Sequence, residues 1–181
     1  MAGHLIRKIE ENGGCLDTGF LATPYLLDAI CKTGRVDQAY QLLLQTKCPS
    51  WLYEVKQGAT TIWENYIAYK EDGTPVMTSL NHYAFGCVDD WMFRKISGIQ
   101  PAAPGFKEIV IAPELNDAFT NAKRAYMSEY GKIATAWDLK DGKFHIEVDI
   151  PCNTTAVVNL PDGSSYKIGS GSYTFDCDVK Q

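Results

Sequence analysis

The chain has 181 residues, of which 45% are hydrophobic and 22% charged, with a formal charge of −5. That balance belongs to a folded chain of one domain or two small ones, and it excludes global disorder. No basic cluster offers a footprint for a phosphate backbone, and no apolar run approaches the ~20 residues that span a bilayer, so neither nucleic acid nor membrane is an expected partner.

The N-terminus runs straight into Leu5-Ile6-Arg7-Lys8-Ile9, which reads as helix. A charged n-region, apolar stretch and small-residue cleavage site are not visible there, so no signal peptide is read. Any export signal would precede residue 1, and the compartment stays open. Leu5, Ile6 and Ile9 share one helix face, and Gly13-Gly14 stops it. Thr23-Pro24 reads as N-cap and first helical position, followed by the stripe Leu26, Leu27, Ile30 and Cys31, with Gly34 closing the helix. Val36, Ala39, Tyr40, Leu43 and Leu44 repeat the apolar spacing, so these two helices form an αα-hairpin.

From Cys48 to Thr78 the chain carries Pro49, Gly58, Gly73 and Pro75 among Trp51, Tyr53, Trp63, Tyr66 and Tyr69. A loop-rich stretch this aromatic is where function tends to sit. Ser79 to Ser97 then reads as one long helix capped by Ser79 or Asn81 and ended by Gly98.

Gln100-Pro101-Ala102-Ala103-Pro104-Gly105 marks a boundary, after which the apolar period falls from 3.6 to 2. Ile109 and Ile111 lie in one run ending at Pro113. Ile133, Thr135, Trp137 and Leu139 alternate up to a hairpin turn at Asp141-Gly142, and Phe144, Ile146, Val148 and Ile150 alternate beyond it. Val157, Val158 and Leu160 follow, then a turn at Pro161-Asp162-Gly163, and Tyr173, Phe175 and Cys177 alternate near the end. The expected class is α+β: helices from about residue 4 to 98, then an antiparallel β-sandwich from about 104 to 178.

Three sites invite chemistry. Glu64 follows Trp63, and a carboxylate beside aromatic rings suits a carbohydrate, with rings stacking on the sugar while the carboxylate moves a proton. The competing reading is a solvated glutamate opening a short helix. His82 sits where a first helical turn is expected, with a ring nitrogen for a ligand hydroxyl or, in the plainer reading, for a backbone group. Asp89-Asp90 cannot easily flank one bond, because adjacent helical residues point about 100° apart; they read as a solvated face, and His145 as a solvent-facing strand residue. The six cysteines lack zinc-ligand spacing and read as small, mostly buried apolar residues, with a disulfide between two of them left open. No nucleophile elbow, P-loop or dinucleotide fingerprint is present, and no cofactor or metal is expected.

Asp17-Thr18-Gly19-Phe20-Leu21-Ala22-Thr23-Pro24-Tyr25-Leu26-Leu27, then Gly58-Ala59-Thr60-Thr61-Ile62-Trp63-Glu64, then Ser79-Leu80-Asn81-His82-Tyr83-Ala84-Phe85-Gly86 resemble, in order, successive motifs of the bacterial α-L-rhamnosidases of glycoside hydrolase family 78. Pro104-Gly105-Phe106-Lys107, Ile111-Ala112-Pro113 and Pro151-Cys152-Asn153-Thr154-Thr155-Ala156 resemble segments of that family's C-terminal β-domain. The resemblance implies the last part of an (α/α) toroid of six hairpins over residues 4–100, with about four helices where the closed toroid needs twelve. A C-terminal β-sandwich domain would occupy 101–181.

It further implies inverting hydrolysis of terminal α-L-rhamnose from glycosides or polysaccharides. Glu64 would be the general base, His82 a sugar ligand and Trp63 a pocket wall. The general acid would lie upstream, in a motif absent from these 181 residues, so the chain is expected to be inactive alone. The segment between Glu64 and His82 is shorter than in many relatives, which bears on leaving-group specificity. The expected partners are a rhamnose-containing carbohydrate, the missing N-terminal part of the same protein, and a second copy meeting the exposed helical surface. Two alternatives stand beside this reading: a non-catalytic carbohydrate-binding or structural module, and a different toroid glycosidase or lyase.

Overall fold

Three amphipathic stretches become helices where their apolar spacing places them: α1 (Ala2–Glu11), α2 (Thr23–Cys31) and α3 (Val36–Leu43). The structure is a computed structural model that describes residues 2–70 and 72–179 and divides into two compact units, one ending at Asp89 and one beginning at Asp90. Leu26, Leu27 and Ile30 of α2 and Ala39, Tyr40 and Leu43 of α3 are buried, as a hairpin packed along those stripes requires. The start of α2 differs from expectation. Ala22, with a helical backbone, holds the N-cap position, and Thr23 is the first helical residue. The Thr23 N–H already donates to Gly19 O at 3.1 Å, and its hydroxyl turns back to the same carbonyl at 2.9 Å. A preceding turn has therefore claimed the side chain that would have capped the helix.

The loop-rich segment contains a short helix that its composition did not announce, α4 (Trp51–Lys56). Ser50 caps it, accepting from the Tyr53 N–H at 3.1 Å. The long helix expected over 79–97 is a further correction. Residues 79–83 are irregular; a 3₁₀ turn spans Ala84–Cys87, α5 covers Val88–Trp91, and a π-helical turn spans Met92–Ile96. The cause is long-range pairing. The His82 N–H donates to Ile62 O at 2.8 Å, and Ser79 O accepts from the Glu64 N–H at 3.0 Å, so this stretch spends its backbone groups on another segment. Asp89 and Asp90 are both exposed, as a solvated face requires.

Among the described residues the second unit holds eight strands in two four-stranded sheets, in the orders β1-β2-β6-β7 and β3-β4-β5-β8. They are β1 (Ile99–Pro101), β2 (Glu108–Ile111), β3 (Asn121–Ser128), β4 (Gly131–Lys140), β5 (Lys143–Ile150), β6 (Thr155–Asn159), β7 (Ser165–Ile168) and β8 (Gly171–Asp178). All pairings are antiparallel except β2 with β6, which run parallel. The alternating residues Ile133, Thr135 and Trp137 of β4 and Phe144, Ile146, Val148 and Ile150 of β5 are buried, with Ile109, Ile111, Ala156 and Val158 from the other sheet. Asp141 and Gly142 both have positive φ, the requirement of a two-residue I′ hairpin, and so join β4 to β5.

Two β4 side chains finish the preceding helical run. The Thr135 hydroxyl donates to Ser97 O at 2.9 Å, and Trp137 Nε1–H donates to Ile96 O at 2.7 Å. They satisfy carbonyls that a helix C-terminus leaves open. Gly98 follows at φ 82°, where an added Cβ would lie 2.6 Å from the Pro113 nitrogen, so only glycine fits this turn. His145 is half-exposed and paired with Asp176 at 2.8 Å, a hydrogen bond that raises its pKa. The six cysteines are free thiols; Cys15 is buried and Cys152 exposed.

Candidate functional site

Glu64 and His82 belong to two irregular segments of the first unit that lie side by side. The Ile62–Glu64 stretch exchanges backbone hydrogen bonds with Ser79 and His82, and the Thr61 hydroxyl donates to Leu80 O. Glu64 adds a side-chain bond to this ladder: its Oε2 accepts from the Ser79 N–H at 2.9 Å. The carboxylate is thus held at one oxygen, by the same residue that accepts the Glu64 N–H.

Glu64 lines an open cleft of about 400 Å³, with Asp17, Phe20, Asn65, Tyr66 and Phe85 among its walls. Tyr66 and Phe85 stack at 4.0 Å between ring centroids. Burial raises the pKa of the Tyr66 hydroxyl, so it stays neutral. The cleft therefore offers one anchored carboxylate, a second exposed carboxylate at Asp17, an amide, and aromatic faces, which is suitable chemistry for hydroxyl-rich ligands.

His82 does not line that cleft directly. Its ring lies between Phe20, at 5.0 Å and 15°, and Tyr83, at 5.2 Å and 12°. Nδ1 accepts from the Ala84 N–H at 3.3 Å, so a neutral ring carries its proton on Nε2 and presents that nitrogen as a donor. Phe20 is the link between the two candidates, since it stacks on His82 and walls the Glu64 cleft.

Trp63 is placed differently from the pocket wall expected of it. It is 3% exposed, packs edge-on against Tyr69 at 5.6 Å, and is not among the residues lining the cleft. Its ring is buried while the adjacent Glu64 stays partly exposed. Two residues read from the sequence only as carboxylates with no convincing place in the site, Asp17 near a helix entry and Glu54 in a loop of unknown direction. Asp17 shares the Glu64 cleft, although its position before a helix gave no sign of it. Glu54 is buried at 2% exposure, and its Oε2 accepts from the Trp63 N–H at 3.2 Å. Its position in the first turn of α4, four residues after the Ser50 cap, is visible only once α4 is recognised as a helix.

Residues 1–96 match the model of the bacterial alpha-L-rhamnosidase 6 hairpin glycosidase domain, and residues 98–175 match the model of the bacterial alpha-L-rhamnosidase C-terminal domain. An alpha-L-rhamnosidase of Formosa agariphila is 41% identical over 181 aligned residues, covering 97% of this chain and 20% of that protein. The crystal structure of Streptomyces avermitilis alpha-L-rhamnosidase complexed with L-rhamnose superposes with a TM-score of 0.95 at 36% identity, over 98% of this chain and 19% of that one. Native alpha-L-rhamnosidase from Aspergillus terreus superposes with a TM-score of 0.93 at 36% identity, over 97% of this chain and 21% of that one. The chain thus spans about a fifth of the length of the relatives it matches.

Proposed function

Because the chain belongs to the bacterial α-L-rhamnosidase family, we propose that it forms part of an inverting glycoside hydrolase that removes terminal α-L-rhamnose from glycosides or polysaccharides. Glu64 is the general base in this reading, and His82 binds a sugar hydroxyl. The observation that carries it is the anchored carboxylate of Glu64, a residue that lines an open cleft. With Oε2 held by the Ser79 N–H, the other oxygen takes the proton from a water as that water attacks the anomeric carbon. The bond to the leaving oxygen breaks on the opposite face, where a general acid must protonate it, and inversion places the two carboxyl groups about 6.5–9.5 Å apart to admit the water.

The acid comes from outside these 181 residues, and the catalytic portion runs over residues 4–100, with the β-sandwich domain over 101–181. Trp63 acts here from the interior, anchoring the turn that presents Glu64, rather than stacking on the sugar. The test is hydrolysis of an aryl α-L-rhamnoside by the longer protein that contains these residues, with the anomer of released rhamnose followed by NMR. Initial release of β-L-rhamnose, lost in Glu64→Gln, supports the reading. Release of α-L-rhamnose overturns inversion, and unchanged turnover in Glu64→Gln overturns the base.

A further inference from the structure

Helix α4 holds both segments of the candidate site with two side chains. Trp51 Nε1–H donates to Phe85 O at 2.9 Å, three residues beyond His82. Glu54 Oε2 accepts from the Trp63 N–H at 3.2 Å, one residue before Glu64. The Tyr53 hydroxyl adds a bond to Tyr69 O at 3.3 Å. The Ser50 cap fixes the start of this helix, and the Ala59 N–H returns to Glu54 O at 3.1 Å, closing the loop that leads to Trp63.

Glu54 is an expensive residue for this task. A buried carboxylate loses its hydration, and an unpaired polar atom inside a protein costs free energy. Glu54 is 2% exposed, and its Oε1 has no hydrogen-bond partner among the described residues. Its compensation is the single backbone bond to Trp63.

The geometry points to Glu54 as a positioning residue for Glu64: it clamps the Trp63 peptide, and through it the backbone that presents the Glu64 carboxylate to Ser79. The rigidity has a physical route. Holding the Trp63 N–H fixes one side of the Trp63 backbone, and the next residue offers its own N–H to Ser79 O and its carboxylate to the Ser79 N–H. Burial raises the carboxyl to about 7 against the lowering effect of the Trp63 bond, so the strength of the clamp changes within an accessible pH range. Tyr66 is the neighbouring titratable group that feels the Glu54 charge. The consequence for catalysis rests on Glu64 being the base; the coupling itself does not.

The test is NMR on the full 181-residue chain. The Trp63, Glu64 and Ser79 amide resonances are followed from pH 5 to 8.5, in the native chain and in a Glu64→Gln background that removes the titration of Glu64 itself. All three amides should show one shared inflection in both chains, lost in Glu54→Gln and retained in Tyr66→Phe. Amide exchange at Glu64 should quicken by about tenfold in Glu54→Leu and return towards the native rate in Glu54→Gln, whose amide oxygen can still accept from Trp63. If Glu54→Leu does not fold, the titration decides alone. An inflection at Trp63 that leaves Glu64 and Ser79 unmoved overturns the proposal, as does one that persists in Glu54→Gln. None of these readouts requires turnover, so failure here is distinct from failure of the general-base assignment, which the rhamnoside assay tests.

Discussion

Ser79 and Glu64 hold each other twice: the Glu64 N–H donates to Ser79 O at 3.0 Å, and the Ser79 N–H donates to Glu64 Oε2 at 2.9 Å. A side chain fastened to the residue that also fastens its backbone has little freedom to turn. That preorganisation is what a general base needs, because a misplaced carboxylate cannot meet its water.

In the longer protein, Glu64→Gln should lower kcat by about 10²–10⁴ while leaving the fold intact. The amide is close in shape but cannot take a proton from water. Rates on an aryl α-L-rhamnoside, with circular dichroism as the fold control, check this. Retention of more than about half the rate is outside the range expected for loss of a base.

His82→Ala should lower kcat/KM by about tenfold or more, through the lost ring contacts with Phe20 and Tyr83 and the lost Nε2 donor. His82→Phe separates the two contributions, since it keeps the stack and removes the nitrogens. Native kcat/KM in His82→Phe would leave stacking as the whole role of this residue.

Glu54 should make stability depend on pH in one direction. Its carboxyl stands at about 7 in the folded chain against 4.5 as its ordinary value, so the folded state holds the proton more tightly. The contribution is complete below pH 4.5, declines as pH rises from there, and is lost above about 7, a change on the order of 3 kcal/mol. Urea unfolding at pH 5 and pH 8 should therefore show a larger decline in the native chain than in Glu54→Gln. Equal declines in both would mean that Glu54 titrates normally.

The first unit exposes large apolar side chains, including Leu21 at 91% and Tyr83 at 88%. Such surface usually finds a partner. The purified chain should self-associate with rising concentration, and Leu21→Lys with Tyr83→Lys should shift it towards monomer in light scattering. A native chain that stays monomeric at the highest concentration reached would count against this.

The 181-residue chain should show no rhamnosidase activity by itself, since in the proposed mechanism Glu64 would activate the water but would not deliver the proton to the leaving oxygen. Asp17 makes the assay informative in both directions, because it shares the Glu64 cleft. Turnover abolished by both Glu64→Gln and Asp17→Asn would identify Asp17 as the acid and show that the chain holds a complete pair.

The change from helices to strands, the α2–α3 hairpin and the central strands β4 and β5 were legible in the residues alone. Each of these rests on a local apolar period, and a helix or strand buried along one face writes that period into its own residues. The strands not legible that way, β1, β3 and β7, are edge strands. The burial of β3 shows the reason: nearly all of its residues are exposed on both faces, so no alternation is imposed on them. Glu64 and His82 were legible as candidates through their motifs. That they lie on paired segments, that Phe20 joins them, and that Trp63 turns inward were decided by contacts between distant parts of the chain. The long helix expected over 79–97 failed for the same reason, since a cross-segment bond at His82 outweighed the helical spacing around it. Glu54 is the sharpest instance: the residues leave it in a loop of unknown direction, and long-range packing puts its carboxylate out of water and against the Trp63 amide.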